Sequence, residues 1–231
     1  MGQHVLPGNP PITVSLRRSA RARRLSLRVS RLDGRVTLTL PPRAPEREAI
    51  AFLRDREDWL RGHLAGMGTD QRPGVGGHLL FRGVEMPVIS GAVRRLTLRD
   101  GALIVPEEVA ARTTSRLQTF LKAQARDHLA QASDHYAAQL GRKYKSLTLR
   151  DTRSRWGSCS SAGALMYSWR LVMAPPAVLN YVAAHEVAHL AEMNHSAAFW
   201  TVVERLFPTH AECRRWLRAH GETLHRVRFT D

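Results

Sequence analysis

Three histidines fall within eleven residues, with a glutamate directly after the first: His185-Glu186-Val187-Ala188-His189, then His195. On a helix, residues four apart stand one turn apart on the same face. Two imidazoles so placed can close on one ion, and neutral imidazole suits Zn2+. Glu186 lies close enough to that face to reach a water held by the ion. His195 supplies a third protein ligand and leaves a fourth position open, as a catalytic zinc site requires. A purely structural zinc module has no need of a base, so Glu186 points to hydrolysis. Glu204, further on, is the competing third ligand, or else a partner for a histidine's free N–H.

The flanking residues indicate how such a site is positioned. Pro175 and Pro176 suit a helix start. Val178, Leu179, Tyr181, Val182 and Ala183 then carry apolar helical spacing into the motif. Asn194 is expected to take the left-handed conformation that ends a helix and swings His195 back. The segment 164–172 reads as one strand running into the helix. It is placed at the edge of a sheet above the metal, where an extended peptide can pair with it. Arg153, Arg155, Tyr167 and His225 are the candidates for stabilising an oxyanion. Trp156 and Trp169 are read as core aromatics, and Cys159 as a small buried residue.

Upstream, residues 1–11 are rich in Gly and Pro and read as a loose lead-in. Ile12–Leu16 is a first strand, followed by the basic cluster Arg17, Arg18, Arg21, Arg23 and Arg24. Leu25, Leu27 and Val29 alternate with polar residues, Asp33-Gly34 is a hairpin turn, and Val36, Leu38 and Leu40 form the partner strand. Residues 44–64 predict one helix with Ile50, Leu53, Trp59 and Leu60 inside. After a glycine-rich loop come short strands at 78–82, 86–89, 94–99 and 102–105, with a second turn at Asp100-Gly101. Residues 107–140 predict a long helix with Leu117, Leu121, Ala125, Leu129 and Ala132 on one face and Gly141 as its stop. His128 and His135, seven apart on it, are read as structural. A strand is expected at 145–151, and helices at 197–207 and 211–220. The fold class expected is α+β. An N-terminal β-rich region, 1–106, precedes a hydrolase domain, 107–231, whose motif helix lies under a small sheet.

The 231-residue chain carries a net charge of +15, almost all of it from arginine; its lysines are Lys122, Lys143 and Lys145. Such a field favours anionic partners, so a polyanion such as nucleic acid or a nucleotide is a possible partner alongside a polypeptide substrate. No apolar run approaches a membrane span, and the opening residues lack the pattern of a signal peptide. Two cysteines form no disulfide framework, and the cytoplasm is the simplest compartment.

The stretches RWGSCSSAG (155–163), WRLVMAP (169–175), HEVAHLAEMNHSAAFW (185–200) and VVERLFP (202–208) resemble the YgjP-like metallopeptidases, related to the SprT and WLM zincins. Residues 17–42, RRSARARRLSLRVSRLDGRVTLTLPP, are similar to that family's opening. Ser168 stands where the family usually has Asn. The resemblance implies a zincin-like domain, with Zn2+ on His185, His189 and His195 and Glu186 as general base. Metzincins share the His189-to-His195 spacing, but Glu192 stands where they have glycine, so the turn is expected at Met193-Asn194. The leading expectation is a zinc metallopeptidase. The alternatives are a zinc-dependent nucleotide or phosphoanhydride hydrolase and a nucleic-acid-associated protease.

Overall fold

The computed structural model describes residues 2–30, 34–66, 71–107 and 112–229. The chain forms two compact units, Met1–Thr69 and Asp70–Asp231.

In the first unit, alternation of apolar and polar residues makes the strands. Ile12, Val14 and Leu16 of β2 (Ile12–Arg18) are buried while Thr13 and Ser15 are exposed. With β1 (Gly2–Leu6), β3 (Ser26–Val29) and β4 (Val36–Leu40) it builds a sheet of order β1-β2-β4-β3, in which β2 and β4 run parallel. The expected loose lead-in is therefore a strand along residues 2–6. It pairs antiparallel with β2 and buries Leu6. Asp33 of the expected turn lies outside the described residues, but Gly34 (φ 66°) and the antiparallel β3–β4 pair fit a hairpin. The expected single helix is two, α1 (Glu46–Asp55) and α2 (Glu57–Ala65), broken at Arg56 (φ −107°, ψ 10°). The break reorients the second half. Leu60 is buried, whereas Trp59, expected inside, is 49% exposed and stacks on His63. Arginine acts here as a carbonyl clamp. Arg18 donates to the carbonyls of Pro41, Pro42 and Ala44, and Arg61 to those of Pro7 and Pro10 while pairing with Glu57.

The second unit begins far upstream of the boundary expected at 106/107. The reason is its core. Strands β5 (His78–Phe81), β6 (Val84–Gly91), β7 (Thr97–Arg99) and β8 (Ala102–Pro106) form a sheet of order β5-β6-β8-β7. Leu79, Phe81, Val88, Leu103 and Val105 from this sheet join the same cluster as Leu117 and Leu121 of α3 (Thr113–Leu140). A cut at 106/107 would divide one core. Asp100 and Gly101 both take positive φ, as the two-residue hairpin requires. Helix α3 buries the expected stripe and ends at Gly141 in the left-handed conformation. The expected start of this helix, at 107, runs into residues 108–111, which lie outside the described ones.

A second sheet overlies the motif helix. Its strands are β9 (Ser146–Arg150), β10 (Gly157–Cys159) and β11 (Ala164–Ser168), in the order β10-β11-β9. Two expectations change here. The expected strand 164–172 ends at Ser168 and gives way to a 3-10 turn, Trp169–Met173, buried at every residue. It is also the central strand, so the edges belong to β9 and to β10, a strand in the stretch between 151 and 164 where none was expected. Then come α4 (Pro176–Ala188), α5 (Ala197–Leu206) and α6 (His210–Arg226). Helix α4 is buried nearly all round, which places it at the centre of the unit. Arg170 locks the end of α6 to the 3-10 turn. It pairs with Asp151 at 2.6 Å and donates to the carbonyls of Leu224 and Val227. Among the described residues, no helix is long and apolar enough to cross a membrane.

Candidate metal centre

The motif helix ends inside its own motif. Ala188 is the last helical residue of α4, and His189 caps it with near-helical angles. His185 and His189 therefore keep the one-turn spacing that sets their rings on one face. Beyond them the chain turns through bonds from the Leu190, Ala191 and Glu192 amides to Val187 and Ala188. Asn194 is not left-handed as expected. Its side chain accepts from the Ser196 amide, and Ser196 in turn caps α5 by accepting from Phe199. These two side-chain turns carry His195 back to the helix face.

The result is one cluster. One nitrogen from each of His185, His189 and His195 lies within 4.8 Å of the others, and Nε2 of His185 is 3.1 Å from Nε2 of His195. Two nitrogens bound tetrahedrally to zinc at about 2.0–2.1 Å stand about 3.3 Å apart, so the spacing fits such an ion. His189 donates Nδ1–H to the Glu192 carbonyl at 2.9 Å, since a carbonyl only accepts. That fixes the tautomer and leaves Nε2 with a free lone pair, able to ligate. Burial and the neighbouring histidines hold His185 down to about 3, and burial lowers His189. Both rings are therefore neutral, the form that ligates. Phe199 stacks on His189, and Trp200 lies beside His195. Glu204, on α5, is exposed and stands outside the cluster.

Glu186 points away from water into the gap beneath β10. It is 5% exposed, and burial raises its carboxyl to about 8, against the opposing charge of Arg155. Gly157 explains why it fits. A Cβ on Gly157 would sit 2.6 Å from Glu186 Cγ and Oε1. The bare backbone at that position makes room for the carboxylate. Gly157 stands in the RWGSCSSAG stretch without an expected role; a glycine in a strand is the sequence signal for a close backbone approach.

The remaining candidates separate clearly. Tyr167 is fully buried with its hydroxyl 3.0 Å from Ser133 Oγ, so it is occupied in the core. His225 is buried against Trp156, and burial and Arg170 bring it down to about 4. Arg153 acts electrostatically on His225, whereas the charge of Arg155 acts on Glu186. Trp169 is a core residue as expected, while Trp156 is half-buried. Cys159 is half-buried on β10, and burial with the Glu186 charge pushes its thiol up to about 11. His128 and His135 line a cavity of about 670 Å3 with Arg82, Tyr136, Asn180 and Phe207, and the three clustered histidines take no part in it.

No curated protein matches this chain. The crystal structure of the metallopeptidase zymogen of Pyrococcus abyssi abylysin is similar over 39% of this chain and 93% of that one, with 22% identity and a TM-score of 0.36. The pattern of the YgjP-like metallopeptidase domain matches residues 23–220, most of both units, and on that match the chain belongs to the YgjP-like metallopeptidase family.

Proposed function

We propose that the protein is a zinc-dependent peptidase in which His185, His189 and His195 hold the ion and Glu186 is the general base. The observation that carries the reading is the convergence of three imidazoles on one point, with Glu186, next to His185 in the chain, buried against Gly157. Zinc bound there would act as a Lewis acid on a water and on the scissile carbonyl. The rest is the work of this chain. The Glu192 carbonyl orients His189. The α4 backbone and Gly157 hold Glu186 in a gap that little water enters. The positive charge of a bound ion would favour the ionised form of this raised carboxyl, and Glu186 would then accept a proton from the attacking water and return it to the leaving amine. The edge strand β10 supports the choice of a peptide: its outer side has no partner strand among the described residues, and a peptide backbone can pair with it beside Glu186.

The test uses the purified full chain. Metal analysis should find about one Zn2+ per chain, lost in His185→Ala and in His189→Ala. Glu186→Gln should retain the ion and lose about 10²–10⁴-fold in kcat. Wild-type zinc content in both histidine variants would remove the metal site from these residues. Hydrolysis within a few-fold of wild type in Glu186→Gln would remove Glu186 as the base.

A further inference from the structure

Positive charge reaches the candidate centre from two places. One is Arg155, exposed, two residues before the Gly157 that packs on Glu186, with its charge acting on that carboxyl. The other is a layered shelf. The Trp200 ring lies 6.0 Å from His195 at an interplanar angle of 29°. His210 stacks on Trp200 at 5.6 Å, and the Arg214 guanidinium lies over the same ring at 4.8 Å. Outside the cluster itself, the charges that act on His185 and Glu186 are Arg214, His210 and Arg155, with no carboxylate among them. Neither Arg155 nor Arg214 forms an ion pair among the described residues.

An unpaired arginine is a strong receptor for carboxylate, because its N–H fork matches the two oxygens. Arg214 is further prepared by its ring. Stacking restricts the guanidinium and leaves its in-plane donors for a ligand. Elsewhere in the molecule the arginines that frame the fold are already engaged. Arg18 and Arg61 clamp carbonyls, and Arg170 is bound to Asp151 and two carbonyls. The two beside the cluster stand apart from this use.

We infer that the site selects acidic peptides, with Arg155 and the Arg214–Trp200 shelf each able to receive an Asp or Glu side chain flanking the scissile bond. The inference rests on the peptidase reading above and names its substrate class. Lysine or arginine at those positions would meet like charge on both sides and be rejected.

The experiment uses zinc-loaded full-length protein and a set of fluorogenic peptides that differ only in carrying Glu, Gln or Lys on either side of the scissile bond. The expected order of kcat/KM is Glu, then Gln, then Lys, with the differences shrinking as salt rises. Arg155→Gln and Arg214→Gln should each reduce the Glu-to-Gln preference about two- to five-fold, the range of an exposed charge pair. Arg54→Gln, on an exposed position of the first unit, should leave that preference as it was. A second readout is independent of turnover: anisotropy of the same labelled peptides on Glu186→Gln protein should show tighter binding of the Glu peptide. A Glu-to-Gln preference near one in both assays overturns the inference, as does a preference that survives both arginine variants. If no peptide is cleaved, the peptidase reading fails and the binding assay alone decides the substrate class. A nucleoside triphosphate that displaces the Glu peptide and is hydrolysed would assign the arginines to phosphate instead.

Discussion

The two units bury different kinds of residue. In the first, the core is Leu6, Ile12, Val14, Leu16, Val29, Val36, Leu38, Leu40, Ala49, Leu53 and Leu60, aliphatic throughout. In the second, a core that adds aromatics such as Phe81, Tyr167, Trp169 and Phe199 encloses Thr113, Ser133, Ser168, Arg170, Glu186, His189 and His225. A buried polar group costs stability unless it is paired, and a buried charge costs more. The first unit avoids that cost among its described residues. The second accepts it: His189 belongs to the histidine cluster, Ser133 holds Tyr167 of β11, and Arg170 ties α6 to the 3-10 turn. The contrast locates chemistry more sharply than surface charge does, because arginine is spread over both units.

Mutations can break this contrast or sharpen it. The largest effect is expected from Gly157→Ala, which drives a methyl against Glu186. Displacement of a base by about 1 Å can cost about 10²-fold, so kcat should fall by that order while zinc content stays at wild type. A kcat within a few-fold would mean that the gap beneath β10 is not what positions the carboxylate. Leu53→Ala in the first unit should do the opposite. It should cost about 2–5 kcal/mol in urea unfolding, from lost burial and the cavity left behind, with kcat unchanged while the unit stays folded. Loss of kcat there would show that the aliphatic core also serves the reaction.

Arg170→Met should cost about 2–3 kcal/mol, because the Leu224 and Val227 carbonyls lose their donor. The partially exposed Asp151 can recover water, which keeps the cost below that of a fully buried pair. Chemical denaturation measures it, and a loss under about 0.5 kcal/mol would mean the clamp is replaceable.

The smallest effect is a pH dependence. His225 is held neutral in the folded state, with its pKa down from 6.5 to about 4. The unfolded chain binds that proton first as pH falls. Stability is therefore full above about 6.5 and declines towards 4, by about 1–3 kcal/mol after allowing for residual solvent contact at the ring. His225→Gln should flatten that decline by the same amount. An unchanged slope between pH 6.5 and 4 would assign the acid sensitivity to other groups.

The histidine cluster was legible from sequence because a one-turn repeat of histidines has few other physical uses. His195 was legible as its third member. The path that brings it there was not, since Asn194 and Ser196 make side-chain turns that a left-handed stop would have replaced. The long stripe of α3 was clear from its period. The strand β10 was hidden, because three residues in a Ser/Gly-rich stretch carry no alternation. The 3-10 turn 169–173 was taken for strand because it is buried on all sides, so neither period is visible. The break at Arg56 left no Gly or Pro to mark it, and Trp59 was misplaced as a result. The unit boundary was missed for a different reason: shared burial between β5–β8 and α3 is a long-range property, invisible to local composition.

Gln71 bonds on both sides of Val227, just past α6, accepting from the Arg228 amide and donating its own amide to the Arg226 carbonyl in a parallel bridge. Entrance and exit of the second unit thus share one doorway. A segment joined ahead of Gln71 and one joined after Phe229 would be tethered at nearly the same point. For tagging, immobilisation or fusion the two ends are interchangeable, and a linker between them would need to span only a few residues to close the unit into a ring.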